Sequence, residues 1–261
     1  MSTTQDLTPQ ESARLALQCL DLTSLNDADT EADIEALCRR AQSAHGPVAA
    51  VCVWPRFVAL ARRLLPAEIQ VAAVANFPDG ALDLPRALAD VAAIAQAGGN
   101  EVDVVLPYKA LMAGQGSEVA EFLAEVRHAS RPLTLKVIIE SGELATPELI
   151  AEATRLALMA GADFVKTSTG KSRVSATPAA AAVMLQEIAA SGLSAAGFKA
   201  SGGIRSVADA HGYLLQTRAK LGEGALNARR LRFGASGLLN DIEAVLAGQA
   251  SAAPSRASSA Y

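Results

Sequence analysis

A lysine inside an apolar run is the first feature of this sequence that asks for chemistry. In GADFVKTSTGK, Lys166 follows Phe164 and Val165, in a stretch that a parallel sheet would bury on both faces. A lysine at a strand end can simply snorkel to solvent; the alternative is a nucleophilic amine. Such an amine attacks a carbonyl only when neutral, and at neutral pH that requires desolvation or a neighbouring cation. A second lysine, Lys199 in GFKASGGIR, is expected to point into the same barrel mouth from the next strand. Two ammonium groups close together do not both stay protonated cheaply. Asp103 in NEVDVVLP sets a carboxylate in an otherwise apolar run, where a charge must be paired or functional. It is a candidate general acid/base working through water, or a structural partner of Lys199 or Lys136; Lys199 can equally be the ion-pair partner of Asp103 or Glu140. Asp21 and Thr23, at the end of the first apolar run, are candidates for gripping substrate hydroxyls, with capping an equally common use.

Two glycine-bearing loops are suited to an anion. SGGIR at 201–205 and RFGASG at 232–237 combine glycines, which let backbone N–H groups approach a phosphate, with following helix N-termini and the Ser236 hydroxyl. Lys171 can supply the counter-charge. Arg205 is as well suited to a surface ion pair as to a ligand.

These residues are positioned by a repeated unit. Short β-branched runs alternate with longer Ala-rich stretches whose apolar positions recur every three and four residues. The strand candidates are 17–23, 48–55, 69–78, 100–107, 133–140, 162–169, 195–201 and 232–236. Among the intervening helices, Val119, Phe122, Leu123 and Val126 make one apolar face. Thr146-Pro147 and Thr177-Pro178 mark helix starts, Ser206 to Asp209 has capping-box spacing, and Gly98-Gly99, Gly161 and Gly192 mark helix ends. Eight strands alternating with helices imply parallel pairing through right-handed crossovers, and eight strands close a sheet without edges. The expected fold is therefore a single-domain α/β protein, a (β/α)8 TIM barrel over residues 1–247, with catalytic groups at the C-terminal strand ends. An open doubly wound sheet is the alternative, but no Gly-rich dinucleotide fingerprint follows the first strand. Residues 248–261 turn small and polar, which predicts a mobile tail, and the chain ends on Tyr261.

Composition agrees: 261 residues, 51% hydrophobic and 4% aromatic, with a net charge of −4. The charge gives no basic footprint for nucleic acid or an anionic membrane. Three cysteines, Cys19, Cys38 and Cys52, lack any CxxC pairing and suggest neither a disulfide framework nor a zinc site. No export signal and no run of about 18 apolar residues is present, so a cytoplasmic location is expected. Monomer and homodimer are both compatible with the helical exterior.

The segments DFVKTSTGK, GFKASGGIR, NEVDVVLPYKALMAG, RFGAS and LDLTSLN together resemble the deoxyribose-phosphate aldolase family, in order, from about residue 12 to 247. The resemblance implies a class I aldolase on a (β/α)8 barrel that uses no metal or other cofactor. Its partners would be small aldehydes and a sugar phosphate, with 2-deoxy-D-ribose 5-phosphate reversibly cleaved to D-glyceraldehyde 3-phosphate and acetaldehyde. It makes Lys166 the Schiff-base lysine, Lys199 the cation that tunes it, and Asp103 the proton relay. It further implies that Thr169, Lys171, Gly203, Gly234 and Ser236 hold the phosphate end, that Asp21 and Thr23 lie near substrate hydroxyls, and that Tyr261 assists proton transfer. Where the family often reads GFKPAGG and RFGASS, this chain has GFKASGG and RFGASG, so Gly237 replaces a phosphate-binding hydroxyl and a weaker preference for phosphorylated aldehydes is expected. Cys52, near the barrel mouth in the family's arrangement, is either an aldehyde trap or a buried structural thiol. The rival functions are a Schiff-base aldolase with another donor and a sugar-phosphate sensor without turnover.

Overall fold

All eight expected strands form, and all but the last, which keeps its length and shifts by one residue, are shorter than their apolar runs. The computed structural model describes residues 6–254. The strands are β1 Leu20–Thr23, β2 Ala50–Val53, β3 Gln70–Ala75, β4 Glu101–Val105, β5 Thr134–Ile138, β6 Phe164–Lys166, β7 Gly197–Ser201 and β8 Leu231–Ala235. Every neighbouring pair is parallel, and β8 returns to pair with β1, so the sheet closes. Trimming has a local cause. Leu17 and Gln18 join the helix Pro9–Gln18, which a Thr8–Glu11 capping box starts; Thr167 to Thr169 leave the sheet for bonds to Ser201 and Glu140. A two-residue antiparallel hairpin, Gln42–Ser43 with Gly46–Pro47, precedes β2.

Helices alternate with the strands as the apolar period requires. Thr146 and Thr177 cap Pro147–Met159 and Pro178–Ala190 with proline at the first helical turn, and Ser206 and Asp209 form the capping box of Val207–Leu221. The expected helix-ending glycines Gly98, Gly161 and Gly192 have φ of 83°, 85° and 70°, a left-handed conformation that costs other residues free energy. A further capping box, Thr30 with Asp33, starts Glu31–Arg40. No helix among the described residues is long and apolar enough to cross a membrane.

The root of the C-terminal segment is tied down. Asp241 accepts hydrogen bonds from Ser251 Oγ and the Ala252 and Val207 amides, and the Ala208 amide donates to Ser251. Residues 251–252 are thus fastened at the start of the helix after β7. Tyr261 lies outside the described residues.

Inside the barrel, size is traded between neighbouring strands. Phe164 on β6 stands level with Gly197 on β7, and a Cβ at 197 would lie 2.5 Å from the Phe164 ring carbons and 3.0 Å from the Arg230 carbonyl. The missing side chain seats the ring, and Arg232 lies over that ring at 5.5 Å. Gly197→Ala is expected to overpack this layer and destabilise the fold by about 1–3 kcal/mol, measurable as a lowered urea midpoint at unchanged slope.

Candidate active site

The period-two alternation of the strands aims an unusual set of side chains at the barrel centre. Register fixes the neighbours: Asp103 is level with Lys136, Lys166 with Lys199, and Lys199 with Arg232. Asp103 is the hub. Its Oδ2 receives both Lys166 Nζ and Lys199 Nζ at 2.8 Å, and its Oδ1 receives Lys136 Nζ at 2.8 Å. Lys199 also binds Asp21 Oδ2, and Lys136 binds Glu101 and lies 3.4 Å from Asp21. Arg232 closes the array, donating to Asp21 Oδ1 at 2.6 Å and to Glu101 Oε1 at 2.8 Å. All seven are buried, with Lys166 2% exposed and Lys136, Lys199, Asp21 and Asp103 0%.

Electrostatics follow from the contacts. Burial works against the Asp103 charge, but Lys136, Lys166 and Lys199 outweigh it and hold the carboxyl well below its usual range. Asp21 is lowered in the same way, against burial, by Lys199, Arg232 and Lys136. For Lys199, burial favours the neutral amine, yet Asp103 and Asp21 prevail and raise its pKa; Lys136 is raised likewise, against burial, by Asp103 and Glu101. Both shifts favour the cationic forms of these two lysines. The Cys52 thiol, 4.0 Å from Asp103 Oδ2, is pushed up to about 11 by burial and by that carboxylate, so it sits as an uncharged buried thiol beside the cluster.

The structure thus brings Lys166, Lys199, Asp103 and Asp21 together. Asp21 has both oxygens engaged by cations, and Thr23 spends its hydroxyl on the Asp21 carbonyl at 2.8 Å. Glu140, one sequence-level partner for Lys199, instead accepts from Thr169 and Ser172. The hub of the cluster takes Lys136 as a full member, and Glu101 and Arg232, which are not among the candidates from the sequence, complete it. Both carry a signal there all the same: Glu101 and Asp103 are two apart in one apolar strand, hence on one face, and Lys136 and Arg232 interrupt two other apolar runs.

The expected phosphate residues lie where β6, β7 and β8 end, three neighbours in the barrel. Thr169 is buried; its hydroxyl donates to Glu140 and accepts the Lys171 amide at 3.0 Å. Glu140, buried at a left-handed φ of 52°, has its carboxyl raised by burial against the hydrogen bonds from Thr169 and Ser172. It pins the loop that presents Lys171, whose side chain is exposed, as is Ser236. Gly203 has φ of 80° and open space where a Cβ would stand, so backbone there faces the solvent corner directly. Arg205 is exposed, and its amide donates to Asp209. Two helices, Val207–Leu221 and Leu238–Leu246, begin beside this corner, and their N-terminal dipoles favour an anion.

Gly234 has a different necessity. A Cβ there would come 2.5 Å from Ser201 Oγ and 3.1 Å from Lys199 Cε, so its bare backbone is the surface on which the Lys199 stem lies. Gly234→Ala is expected to displace Lys199 and, if Lys199 serves the reaction, to lower kcat on the order of 10²-fold, as a misplacement of about 1 Å can. Steady-state kinetics alongside a thermal melt would separate this from unfolding.

Known proteins share this architecture. The model of the DeoC/LacD family aldolases matches residues 15–243. A deoxyribose-phosphate aldolase of Agrobacterium fabrum is 45% identical over 256 residues, covering 97% of each chain. A Toxoplasma gondii structure assigned to deoxyribose-phosphate aldolase shares the fold with a TM-score of 0.84 at 24% identity, over 93% of this chain and 98% of that one. The tetrameric deoxyribose phosphate aldolase of Aeropyrum pernix gives a TM-score of 0.70 at 25% identity, over 91% and 92%. With its closed barrel, its buried lysine pair and a match running through nearly the whole barrel, the chain belongs to the DeoC/LacD family of aldolases.

Proposed function

We propose that this chain reversibly cleaves 2-deoxy-D-ribose 5-phosphate to D-glyceraldehyde 3-phosphate and acetaldehyde through a Schiff base on Lys166. The observation that carries the reading is that Lys166 and Lys199 meet on one oxygen of Asp103. Four cations share three carboxylates in the cluster, so with every group ionised one positive charge is left over. Lys136 contacts three of those carboxylates, Lys199 two and Lys166 one. Lys166 thus has the fewest carboxylate partners of the three lysines, which leaves it the amine we assign as nucleophile.

The neutral amine adds to the C1 aldehyde, giving a carbinolamine that loses water to become a protonated imine. The imine accepts the electron pair of the C2–C3 bond as that bond breaks, while the C3 hydroxyl gives up its proton and becomes the aldehyde of glyceraldehyde 3-phosphate. The enamine left on Lys166 takes a proton at C2, and hydrolysis of the resulting imine frees acetaldehyde and the amine. Asp103, Lys199 and a water are the proposed proton carriers. On the strength of the family resemblance we assign Tyr261, which lies outside the described residues, to assist the proton transfers. Thr169, Lys171, Gly203 and Ser236 would receive the phosphate, and Gly234 would seat Lys199 beside them. The assembly proposed is a homodimer, in line with the tetrameric relative and with exposed Met159 and Met112 on the outer helices. The proposed location is the cytoplasm, which suits three free buried thiols.

Incubation with acetaldehyde and sodium borohydride should leave an ethyl group on Lys166, seen by intact mass and peptide mapping and absent from Lys166→Ala. Asp103→Asn should lose about 10²–10⁴-fold in kcat, with circular dichroism and a thermal melt separating that loss from the destabilisation of three stranded lysines. No adduct on folded protein would point to another donor, or to a sugar-phosphate sensor if no aldehyde forms one. A separate substitution addresses the phosphate end. Gly237 has φ −93° and nothing within 4 Å of where a Cβ would stand, so a serine fits without strain. Gly237→Ser should raise kcat/KM for phosphorylated aldehydes by about tenfold or more, the equivalent of about 1.5–3 kcal/mol for a hydrogen bond to a charged group. An unchanged value would remove the idea that Gly237 weakens phosphate preference.

A further inference from the structure

The charged cluster extends well beyond the lysines that would meet substrate. Its far end is the Glu101–Arg232 pair, which takes no part in the chemistry above. Glu101 opens β4, and both residues line a cavity of about 1150 Å³ at the N-terminal ends of the strands, walled also by Gln70, Thr134 and Phe164. Two chains of contacts run inward from the pair. One passes from Arg232 through Asp21 and Lys199 to Asp103; the other passes from Glu101 through Lys136 to the same carboxylate. Both end at the oxygens of Asp103, one of which holds Lys166.

We propose that Glu101 and Arg232 are positioning residues whose opposite charges set how readily the Lys166 amine becomes neutral, so that a pair at the end of the barrel away from the substrate fixes the pH range of the reaction. The proposal rests on Lys166 being the nucleophile. Groups face the barrel centre from nearly every strand: Asp21 from β1, Cys52 from β2, Asp103 with Glu101 from β4, Lys136 from β5, Lys166 from β6, Lys199 from β7 and Arg232 from β8. β3 turns Gln70, Ala72 and Val74 to that side, none of them titratable. On the cavity side stand Arg14, His45, Glu68, Asp163, Arg229 and Arg230; Asp163 is paired with Arg127, and Arg230 binds the Ala196 carbonyl. Charges in water reach the cluster weakly, whereas those inside it act through a medium of low effective dielectric. The ionised count inside the barrel is therefore the controlling quantity.

The signs follow from that count. Glu101→Gln removes a negative charge, makes a protonated Lys166 costlier, and should move the acidic limb of the kcat/KM profile to lower pH. Arg232→Met removes a positive charge and should move the limb to higher pH. Each displacement should be about one pH unit, the lower end of what a nearby charge produces. The double variant loses the pair and its geometry but keeps the net charge, so its limb should stay where the native one is even if kcat falls.

The measurement is kcat/KM against pH for the native protein, both single variants and the double variant, with circular dichroism to confirm folding. Opposite displacements in the singles, cancelled in the double, support the proposal. Displacements of the same sign, unmoved limbs in folded singles, or a displaced limb in the double overturn it. If one single variant fails to fold, the other and the double still supply the sign and the cancellation. Reductive trapping with acetaldehyde separates the two readings: an adduct on Lys166 with unmoved limbs defeats this inference alone, whereas no adduct in the native protein defeats the nucleophile itself.

Discussion

Taking an ion out of water costs several kcal/mol even after a protein relaxes around it, and the cost is recovered only where partners of opposite charge stand at hydrogen-bond distance. This barrel buries Asp21, Glu101, Asp103, Lys136, Lys166, Lys199 and Arg232 in one connected array. Such an array is stable as a whole and poor in parts, because deleting one member strands its partners without water. Much of the surrounding structure serves that condition. Register sets Asp103 beside Lys136 and Lys166 beside Lys199, Gly234 leaves room for the Lys199 stem, and Gly197 lets the Phe164 ring lie beneath Arg232.

The same array divides labour among three lysines of one chemical type. Lys136 and Lys199 are surrounded by carboxylates and held as cations. Lys166 has one carboxylate contact and lies toward the C-terminal strand ends. The charge of Lys136 and Lys199 is decided by the carboxylates that touch them, since burial alone would push both toward the neutral amine.

The two ends of the barrel are built for different purposes. At the C-terminal end, Glu140 in a strained left-handed conformation holds Thr169 and Ser172, and two helices start beside the glycine loops. Strain of this kind persists where the surroundings over-determine it, and it clusters at functional sites. Asp241 fastens the root of the C-terminal segment to the same corner. At the N-terminal end the cavity meets the Glu101–Arg232 pair, so the cluster has a solvent-facing wall on the side away from the glycine loops.

Strand number, parallel order and the helix starts at Thr146, Thr177 and Ser206 were legible in the chain because hydrophobic period and capping are local properties. The individual chemical candidates were legible for a related reason: Lys166, Lys199 and Asp103 are charges in apolar runs, which no local rule tolerates without a purpose. Membership of the cluster was legible only in part: Lys136 and Lys199 were expected partners of Asp103, but the rest of the contacts were not. Glu101 and Arg232 are 131 residues apart and Lys199 and Asp21 are 178 apart, and only closure of β8 onto β1 brings them into contact. The ion pairs of Asp21 could not be read from its place in the chain, and Glu140 could as well have met Lys199. Local pattern dictated which residues had to be buried and on which element. Closure of the barrel dictated which charges touch, and so which lysine is left with a single partner, because Coulomb energy depends on distances that a one-dimensional pattern does not contain.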